Sequence, residues 1–318
     1  MGKSKDIFKR VSTGHREGLK GAAEMVTNMT AILNHDRATM TLMDVVSSTG
    51  MTEGLSSHAV NVCILSTVVG RELGLNPEEL HILGMGALFH DMGKRLLPMK
   101  VNFRASGITM EADQASTKLH PEKAKELMES YPSFPREGLR IILEHHERMH
   151  GGGYPKGLKG HQISRMAQIV MVVDEYDEFC NAAIPEKSLT PHEALSQLYK
   201  YTKKQNGKFP EDVILALIRT LSVFPPGSLV ELTDGSLGLV TSINIKAPTK
   251  PLVLISHCEG TRQEALAVDL AQEKNISIRR SLKPRDVPPK VLEFLSPRRT
   301  SVFLQAEKEN FPLVGYKP

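Results

Sequence analysis

A histidine and an aspartate stand side by side at His90-Asp91, where an apolar stretch ends, and Lys94 follows shortly after. Imidazole and carboxylate are both common metal ligands. Neighbouring residues on a regular helix point about 100° apart. Both side chains can therefore reach one site only where a helix ends, or around more than one metal, and Gly93 predicts such an end. Taken in isolation, the pair is more typical of an exposed helix cap than of two metal ligands.

Further donors of the same kind occur along the chain, and together they number five histidines and two aspartates: His58, His90, Asp91, His120, His145, His146 and Asp174. A structural zinc needs only four ligands, so seven donors favour a binuclear site. In such a site a carboxylate such as Asp91 can bridge the metals, and a shared hydroxide can attack phosphorus. Imidazole and carboxylate without thiolate suit iron, manganese, zinc or nickel. The donors therefore predict a metal-dependent phosphohydrolase.

The order of these motifs resembles that of the HD-GYP family, the bacterial cyclic di-GMP phosphodiesterase branch of the HD metallohydrolases. The resemblance covers residues 51–221 and rests on His58, His90-Asp91-Met92-Gly93-Lys94, His120-Pro121, His145-His146-Glu147, Gly153-Tyr154-Pro155 and Asp174. It implies that all seven donors bind metal, with Asp91 as the bridge. It further implies two divalent metal ions per chain, iron or manganese, with other transition metals left open.

The resemblance also assigns the substrate contacts. Asp91 and Lys94 are the expected catalytic residues, and Lys94 is expected to contact the substrate phosphate, where an ammonium group stabilises developing charge. Tyr154 is expected to stack on the nucleotide or hydrogen-bond to it. The alternatives are that Lys94 only favours a helix C-terminus and that Tyr154-Pro155 is an ordinary turn.

Three positions depart from the family pattern. Gly54 stands where members with a third metal carry glutamate, which is why the resemblance implies two metals. His150 replaces an aspartate ahead of the GYP motif. Ala183 stands where the family has an arginine that contacts the cyclic dinucleotide. Lys187 is expected to bind substrate in its place, and to compensate only in part because lysine lacks the bidentate fork of arginine.

Composition indicates an intracellular protein. The chain has 318 residues, of which 40% are hydrophobic and 24% charged, so it can bury a sizeable core. Its three cysteines are odd in number, as is typical of free thiols in a reducing compartment. No stretch approaches the roughly 18 apolar residues that a membrane helix needs. We expect a cytoplasmic protein without membrane contact.

The sequence pattern divides the chain into four segments: a helical segment at 1–50, an HD-GYP phosphodiesterase domain at 51–222, a small β-rich module at 223–278 and a basic tail at 279–318. Alternating apolar residues around Asp234-Gly235 predict a hairpin in the module. The predicted fold class is therefore mainly α, with a C-terminal β-rich appendage. Met25, Met29, Ile32 and Leu33 form an apolar stripe in the first segment. Such a stripe is typical of a core or of a dimer interface, so a homodimer is left open.

The sequence therefore predicts a metal-dependent phosphodiesterase of second-messenger signalling that hydrolyses cyclic di-GMP, to pGpG or GMP, or a related cyclic dinucleotide. Two alternatives stay open: a catalytically weak, metal-bound nucleotide sensor or interaction protein, and a phosphohydrolase of another nucleotide. Protein partners are expected at the β module or the basic tail. No nucleic-acid polymer is expected as a partner, because the tail lacks a regular basic helix face.

Overall fold

The structure is a computed structural model that describes residues 2–33, 55–97, 100–104, 107–111, 114–182, 184–204, 207–244, 246–259 and 262–295. Gly54, Ala183 and the tail after residue 295 lie outside the described residues, so what the sequence indicates about them stays a prediction. The predicted fold class is confirmed, since a helical body is followed by a small antiparallel sheet.

The helical body consists of ten helices and one hairpin within the described ranges. The helices are α1 (Gly2–Ser12), α2 (Arg16–Ile32), α3 (Leu55–Glu72), α4 (Pro77–Phe89), α5 (Gln114–Thr117), α6 (His120–Glu129), α7 (Arg136–Glu144), α8 (Arg165–Cys180), α9 (Pro191–Lys204) and α10 (Glu211–Leu221). Strands β1 (Lys100–Arg104) and β2 (Gly107–Glu111) form an antiparallel hairpin between α4 and α5, which the motifs did not predict.

Helix α4 lies at the centre of the body and packs against α2, α3 and α7. It begins at a capping box, in which Asn76 Oδ1 accepts the backbone N–H groups of Glu78 and Glu79, both at 3.0 Å. This cap satisfies donors that the first helical turn leaves free. Gly84 allows α2 to approach, because a Cβ there would lie 2.6 Å from Val26 Cγ1. The central helix thus carries His90 into a closely packed interior.

The N-terminal helices belong to the same hydrophobic core. Val26 and Leu33 are fully buried, and the ring of Phe8 meets that of Phe89 edge to face at 5.8 Å. The hydroxyl of Tyr131 donates to the Val11 carbonyl at 2.8 Å. For α2, the apolar stripe therefore packs into the core of its own chain.

The C-terminal module is a five-stranded antiparallel sheet of order β6-β5-β4-β3-β7. Its strands are β3 (Leu229–Leu232), β4 (Leu237–Ser242), β5 (Leu252–Glu259), β6 (Arg262–Asp269) and β7 (Ile278–Leu282), and helix α11 (Pro289–Leu295) packs on β4 and β5. The predicted hairpin is present between β3 and β4, where Gly235 adopts a φ of 88°.

The sheet runs past residue 278, the end of the module that the sequence predicts. Strand β7 pairs with β3 and lies in the segment predicted as a basic tail. The side chain of Leu282 is buried, whereas those of Arg279 and Arg280 are exposed to solvent. Both arginines form ion pairs with Glu231, at 3.0 and 2.7 Å. Arg279 and Arg280 are therefore adjacent exposed positions of a strand that begins at the partly buried Ile278 and ends at the buried Leu282, which a count of charges does not reveal.

The module contacts the helical body along α9. The hydroxyls of Thr190 and Ser281 lie 2.6 Å apart, and the rings of His192 and Phe224 stack at 4.7 Å. None of the helices in the described ranges is both long and apolar enough to span a bilayer.

Candidate metal centre

The adjacent pair His90 and Asp91 lies at a helix end, as predicted. Helix α4 ends at Phe89, His90 caps it, and Asp91 leaves helical geometry with φ −99° and ψ 6°. Both side chains can therefore turn towards one site. Gly93 plays a different part from the predicted helix end. It lies in a following 3-10 turn, where a Cβ would stand 1.9 Å from the His120 carbonyl oxygen.

The other predicted donors lie at helix termini or along a helix, and they converge on Asp91. His58 lies in the first turn of α3, His120 opens α6, and His145 caps the end of α7 with His146 directly after it. Asp174 lies within α8. All are buried except His58, which is partly buried. The structure thus brings together all seven residues that the sequence predicted as metal ligands.

The two oxygens of Asp91 face different histidines. Oδ1 lies 3.1 Å from His120 Nε2 and 3.9 Å from His145 Nε2. Oδ2 lies 3.6 Å from both His58 Nε2 and His90 Nε2. On the same side as Oδ2, Asp174 Oδ1 lies 3.1 Å from His58 Nε2 and 3.3 Å from His90 Nε2. This is the arrangement that a bridging carboxylate requires.

Several groups of these atoms lie close enough to share an ion. Within each group, all donor atoms are no more than 4.8 Å apart. Among the described residues the groups are Asp91 with His120, His145 and His146; His58 with His90 and Asp91; and His90 with His145 and Asp174. Asp91 therefore takes part in two groups on opposite sides.

The hydrogen bonds of the histidines aim their Nε2 atoms at this cluster. His90, His120 and His145 each donate from Nδ1 to a backbone carbonyl three residues earlier, at 2.6, 2.6 and 2.7 Å. A neutral imidazole that donates from Nδ1 carries its lone pair on Nε2. Such outer hydrogen bonds orient metal-binding histidines and fix their tautomer.

His58 is held differently, by the buried carboxylate of Asp177. Its Nδ1 donates to Asp177 Oδ2 at 2.7 Å, while Asp177 Oδ1 accepts from the side-chain amides of Asn61 and Asn181 at 3.2 and 3.1 Å. Asp177 lies one helical turn after Asp174, so a shared helix face could have revealed it. Asp177 is not among the site residues that the sequence predicted.

Buried atoms at the centre of the cluster have no hydrogen-bond partner among the described residues: His58 Nε2, His90 Nε2, Asp91 Oδ1 and Asp174 Oδ1. An unsatisfied buried polar atom costs about 1–3 kcal/mol, so four that converge need a compensating ligand. Imidazole nitrogens and carboxylate oxygens are the donors that divalent transition metals prefer. The residues therefore fit a metal centre.

The electrostatics of the cluster are consistent with cation binding. Although burial opposes its charge, Asp91 has a pKa well below the usual value because His90, His120 and Lys94 surround it. Burial lowers the pKa of His146 to about 3, which keeps the ring neutral and able to bind metal. Despite its burial, His58 has a raised pKa because Asp174 and Asp177 stabilise positive charge there. The same carboxylates stabilise a metal cation.

The predicted substrate-binding residues lie at unequal distances from this cluster. Lys94 Nζ donates to Asp91 Oδ2 at 2.5 Å and is 24% exposed, so it lies at the edge of the cluster. Tyr154 stacks on His146 with ring centroids 4.8 Å apart. Lys187 is exposed at the end of a short 3-10 turn, and none of its described contacts joins it to the cluster. The structure thus brings Lys94 and Tyr154 to the cluster but not Lys187.

Glu147 holds the loop that carries Tyr154. Its carboxylate is buried and accepts the backbone N–H groups of Lys156 and Leu158, at 2.7 and 2.9 Å. Gly153 packs so tightly that a Cβ would stand 2.4 Å from Glu147 Cα. The sequence named Glu147 as part of a motif, but only the structure shows that this residue anchors the loop.

Comparisons with known proteins bear on the family and the fold of this chain. The family model described as "HD domain" matches residues 29–207, and the model described as "KOW domain associated with HD domain" matches residues 229–290. The structure of Bd1817, an HDG"Y"P protein from Bdellovibrio bacteriovorus, aligns with a TM-score of 0.52 at 22% identity, covering 68% of this chain and 66% of that one. This likeness shows a shared fold.

Among curated proteins, the chain is similar to cyclic di-GMP phosphodiesterase PA4108 of Pseudomonas aeruginosa, with 27% identity over 250 residues, 78% of this chain and 58% of the relative. It is also similar to the cyclic di-GMP phosphodiesterase response regulator RpfG of Xanthomonas campestris pv. campestris, with 37% identity over 147 residues, 46% of this chain and 39% of the relative. The chain thus spans less than two thirds of the length of each of these relatives. The resemblance drawn from the motifs is confirmed, and the chain belongs to the HD domain family.

Proposed function

We propose that the protein is a metal-dependent phosphodiesterase that hydrolyses a cyclic dinucleotide, cyclic di-GMP or a close relative of it. The observation that carries this proposal is the buried cluster in which Asp91 faces histidines on two sides. Its curated relatives are named as phosphodiesterases of cyclic di-GMP, and a further relative from Vibrio cholerae is named as specific for 3'3'-cGAMP.

Two divalent transition metal ions, iron or manganese, are the proposed cofactors. One site would use His58, His90 and Asp174 and the other His120, His145 and His146, with Asp91 shared between them. Bound there, such a pair of ions supplies an activated water for attack on phosphorus and neutralises phosphate charge.

Lys94 and Tyr154 are the proposed substrate contacts. The ammonium of Lys94 is only partly exposed and hydrogen-bonds to Asp91, so it lies next to the proposed metal ions. There it can donate to a phosphate oxygen as negative charge develops. Tyr154 offers an aromatic face next to His146, on which a nucleobase can stack. Lys187 stays a predicted substrate contact without structural support.

The test uses protein purified without oxygen and loaded separately with iron or manganese. We expect hydrolysis of cyclic di-GMP that depends on the metal and falls in the Lys94→Ala variant. A matched control is Lys123→Ala, since Lys123 is exposed and pairs only locally with Glu126 at 2.8 Å. Metal-loaded protein that leaves every cyclic dinucleotide intact but hydrolyses a mononucleotide would refute the proposal.

The loss of the family arginine at position 183 favours one alternative, a metal-bound sensor with weak turnover. Calorimetry separates this alternative from the enzyme. A sensor binds cyclic di-GMP tightly and releases it unchanged, whereas the proposed enzyme yields pGpG or GMP within the same incubation.

A further inference from the structure

The ring of Tyr154 contacts the side chains of His146 and Lys118. His146 stacks on it with an interplanar angle of 25°. Lys118 places its Nζ 5.8 Å from the ring centroid, over the ring. A cation over an aromatic face is a weak contact when exposed to solvent, and a ligand can displace it. Lys118 thus places a second positive charge, besides that of Lys94, next to the ring on which the proposed substrate stacks.

The backbone around Lys118 is part of the structure that positions the metal centre. Lys118 lies in the turn between α5 and α6. The preceding residue, Thr117, accepts the Nδ1–H of His120 at 2.6 Å, and Leu119 N–H donates to Ser116 at 3.0 Å. This turn therefore also orients a predicted metal ligand.

Lys118 also differs from its neighbours in its charge pairing. Lys123 and Lys125 on α6 pair with Glu126 and Glu129 at 2.8 and 2.5 Å. Lys94 is engaged with Asp91. Lys118 is exposed and forms no ion pair with any carboxylate in the described part of the chain. Its charge is therefore available to an anionic ligand.

We propose that Lys118 binds the second phosphodiester of a cyclic dinucleotide, the one that is not being cleaved. This inference rests on the proposed function. When a nucleobase stacks on Tyr154 at the place that Lys118 covers, it displaces the ammonium. The ammonium then meets the second phosphate, because each nucleoside of the cyclic dinucleotide is joined to both phosphates. Lys94 on the Asp91 side and Lys118 on the Tyr154 side would thus contact one phosphate each.

The test compares two substrates on full-length, metal-loaded protein. Cyclic di-GMP has two phosphodiesters, whereas bis(p-nitrophenyl) phosphate has one. We expect Lys118→Ala to raise the KM for cyclic di-GMP about tenfold more than the KM for bis(p-nitrophenyl) phosphate. A factor of about ten corresponds to the loss of one charge-assisted contact. Lys118→Arg should stay close to wild type because it keeps the charge. Lys123→Ala is the matched control, in which one exposed lysine of the same region is lost.

Salt provides a second readout. Because contacts between exposed charges are screened by ions, the KM of the wild type for cyclic di-GMP should rise with ionic strength more steeply than that of Lys118→Ala. Equal KM changes for both substrates, or an unchanged KM in an active variant, would overturn the role of Lys118. A wild type that neither binds nor cleaves cyclic dinucleotides would overturn the proposed function itself, and this inference with it.

Discussion

Replacement of Gly93 by alanine tests the packing that brings His120 to Asp91. A Cβ at this position would lie 1.9 Å from the His120 carbonyl oxygen and 2.8 Å from Ala124 N, whereas real Cβ contacts essentially never fall below 3.0 Å. Both obstacles are backbone atoms at the start of α6. The helix must therefore shift by about 1 Å, and overpacking of this kind costs about 1–3 kcal/mol or more.

A shift of this size affects metal binding as well as stability. Metal–ligand distances are held to about ±0.2 Å, and His120 Nε2 lies only 3.1 Å from Asp91 Oδ1. We expect Gly93→Ala to lose a large part of its bound metal. Its melting temperature should fall by roughly 2–12 °C, from a cost of about 1–3 kcal/mol and about 2–4 °C for each kcal/mol in a domain of this size.

Gly21→Ala is the matched control. Gly21 lies inside α2, where a Cβ would make ordinary contacts with Ile7 at 3.6 Å or more. Alanine is favoured over glycine in a helix by about 0.5–1 kcal/mol, so this variant should be as stable as wild type or more so. Metal analysis and thermal unfolding monitored by circular dichroism provide both readouts. If Gly93→Ala kept the metal content and melting temperature of wild type, our account of this contact would be wrong.

Three further changes test other parts of the site. Asp91→Ala should reduce metal content at both proposed positions, since each of its oxygens faces a different set of histidines; loss of only one ion by metal analysis would argue against a bridge. Lys94→Ala should lower kcat roughly ten- to a hundredfold with metal still bound, and full activity would contradict its phosphate contact. In Glu147→Gln an amide NH2 group replaces one of the two carboxylate oxygens, so one loop N–H loses its acceptor, at a cost of about 1–3 kcal/mol. The melting temperature of this variant should be lower. Its KM for the cyclic dinucleotide should be higher, because the loop no longer holds Tyr154 in place, and an unchanged KM would refute the anchoring role.

The sequence alone was sufficient to predict the donor set and the class of fold. The seven side chains that we propose as metal ligands are recognised by their chemical type and their order along the chain, which do not depend on knowing the packing. Local rules likewise predicted the hairpin at Asp234-Gly235, because a turn is formed by residues close in sequence.

Only the tertiary structure decided how these residues act together. The close approach of His120 to Gly93, the contact of His58 with Asp177 and the position of Lys118 over Tyr154 each join segments far apart in sequence. Such contacts depend on how helices pack, and no local pattern encodes their distances. Strand β7 was missed for the same reason, since its pairing with β3 is a long-range contact and its arginines resemble a solvated tail. Which residues are candidate metal ligands can thus be read from the sequence, whereas the distances between them depend on how the chain packs.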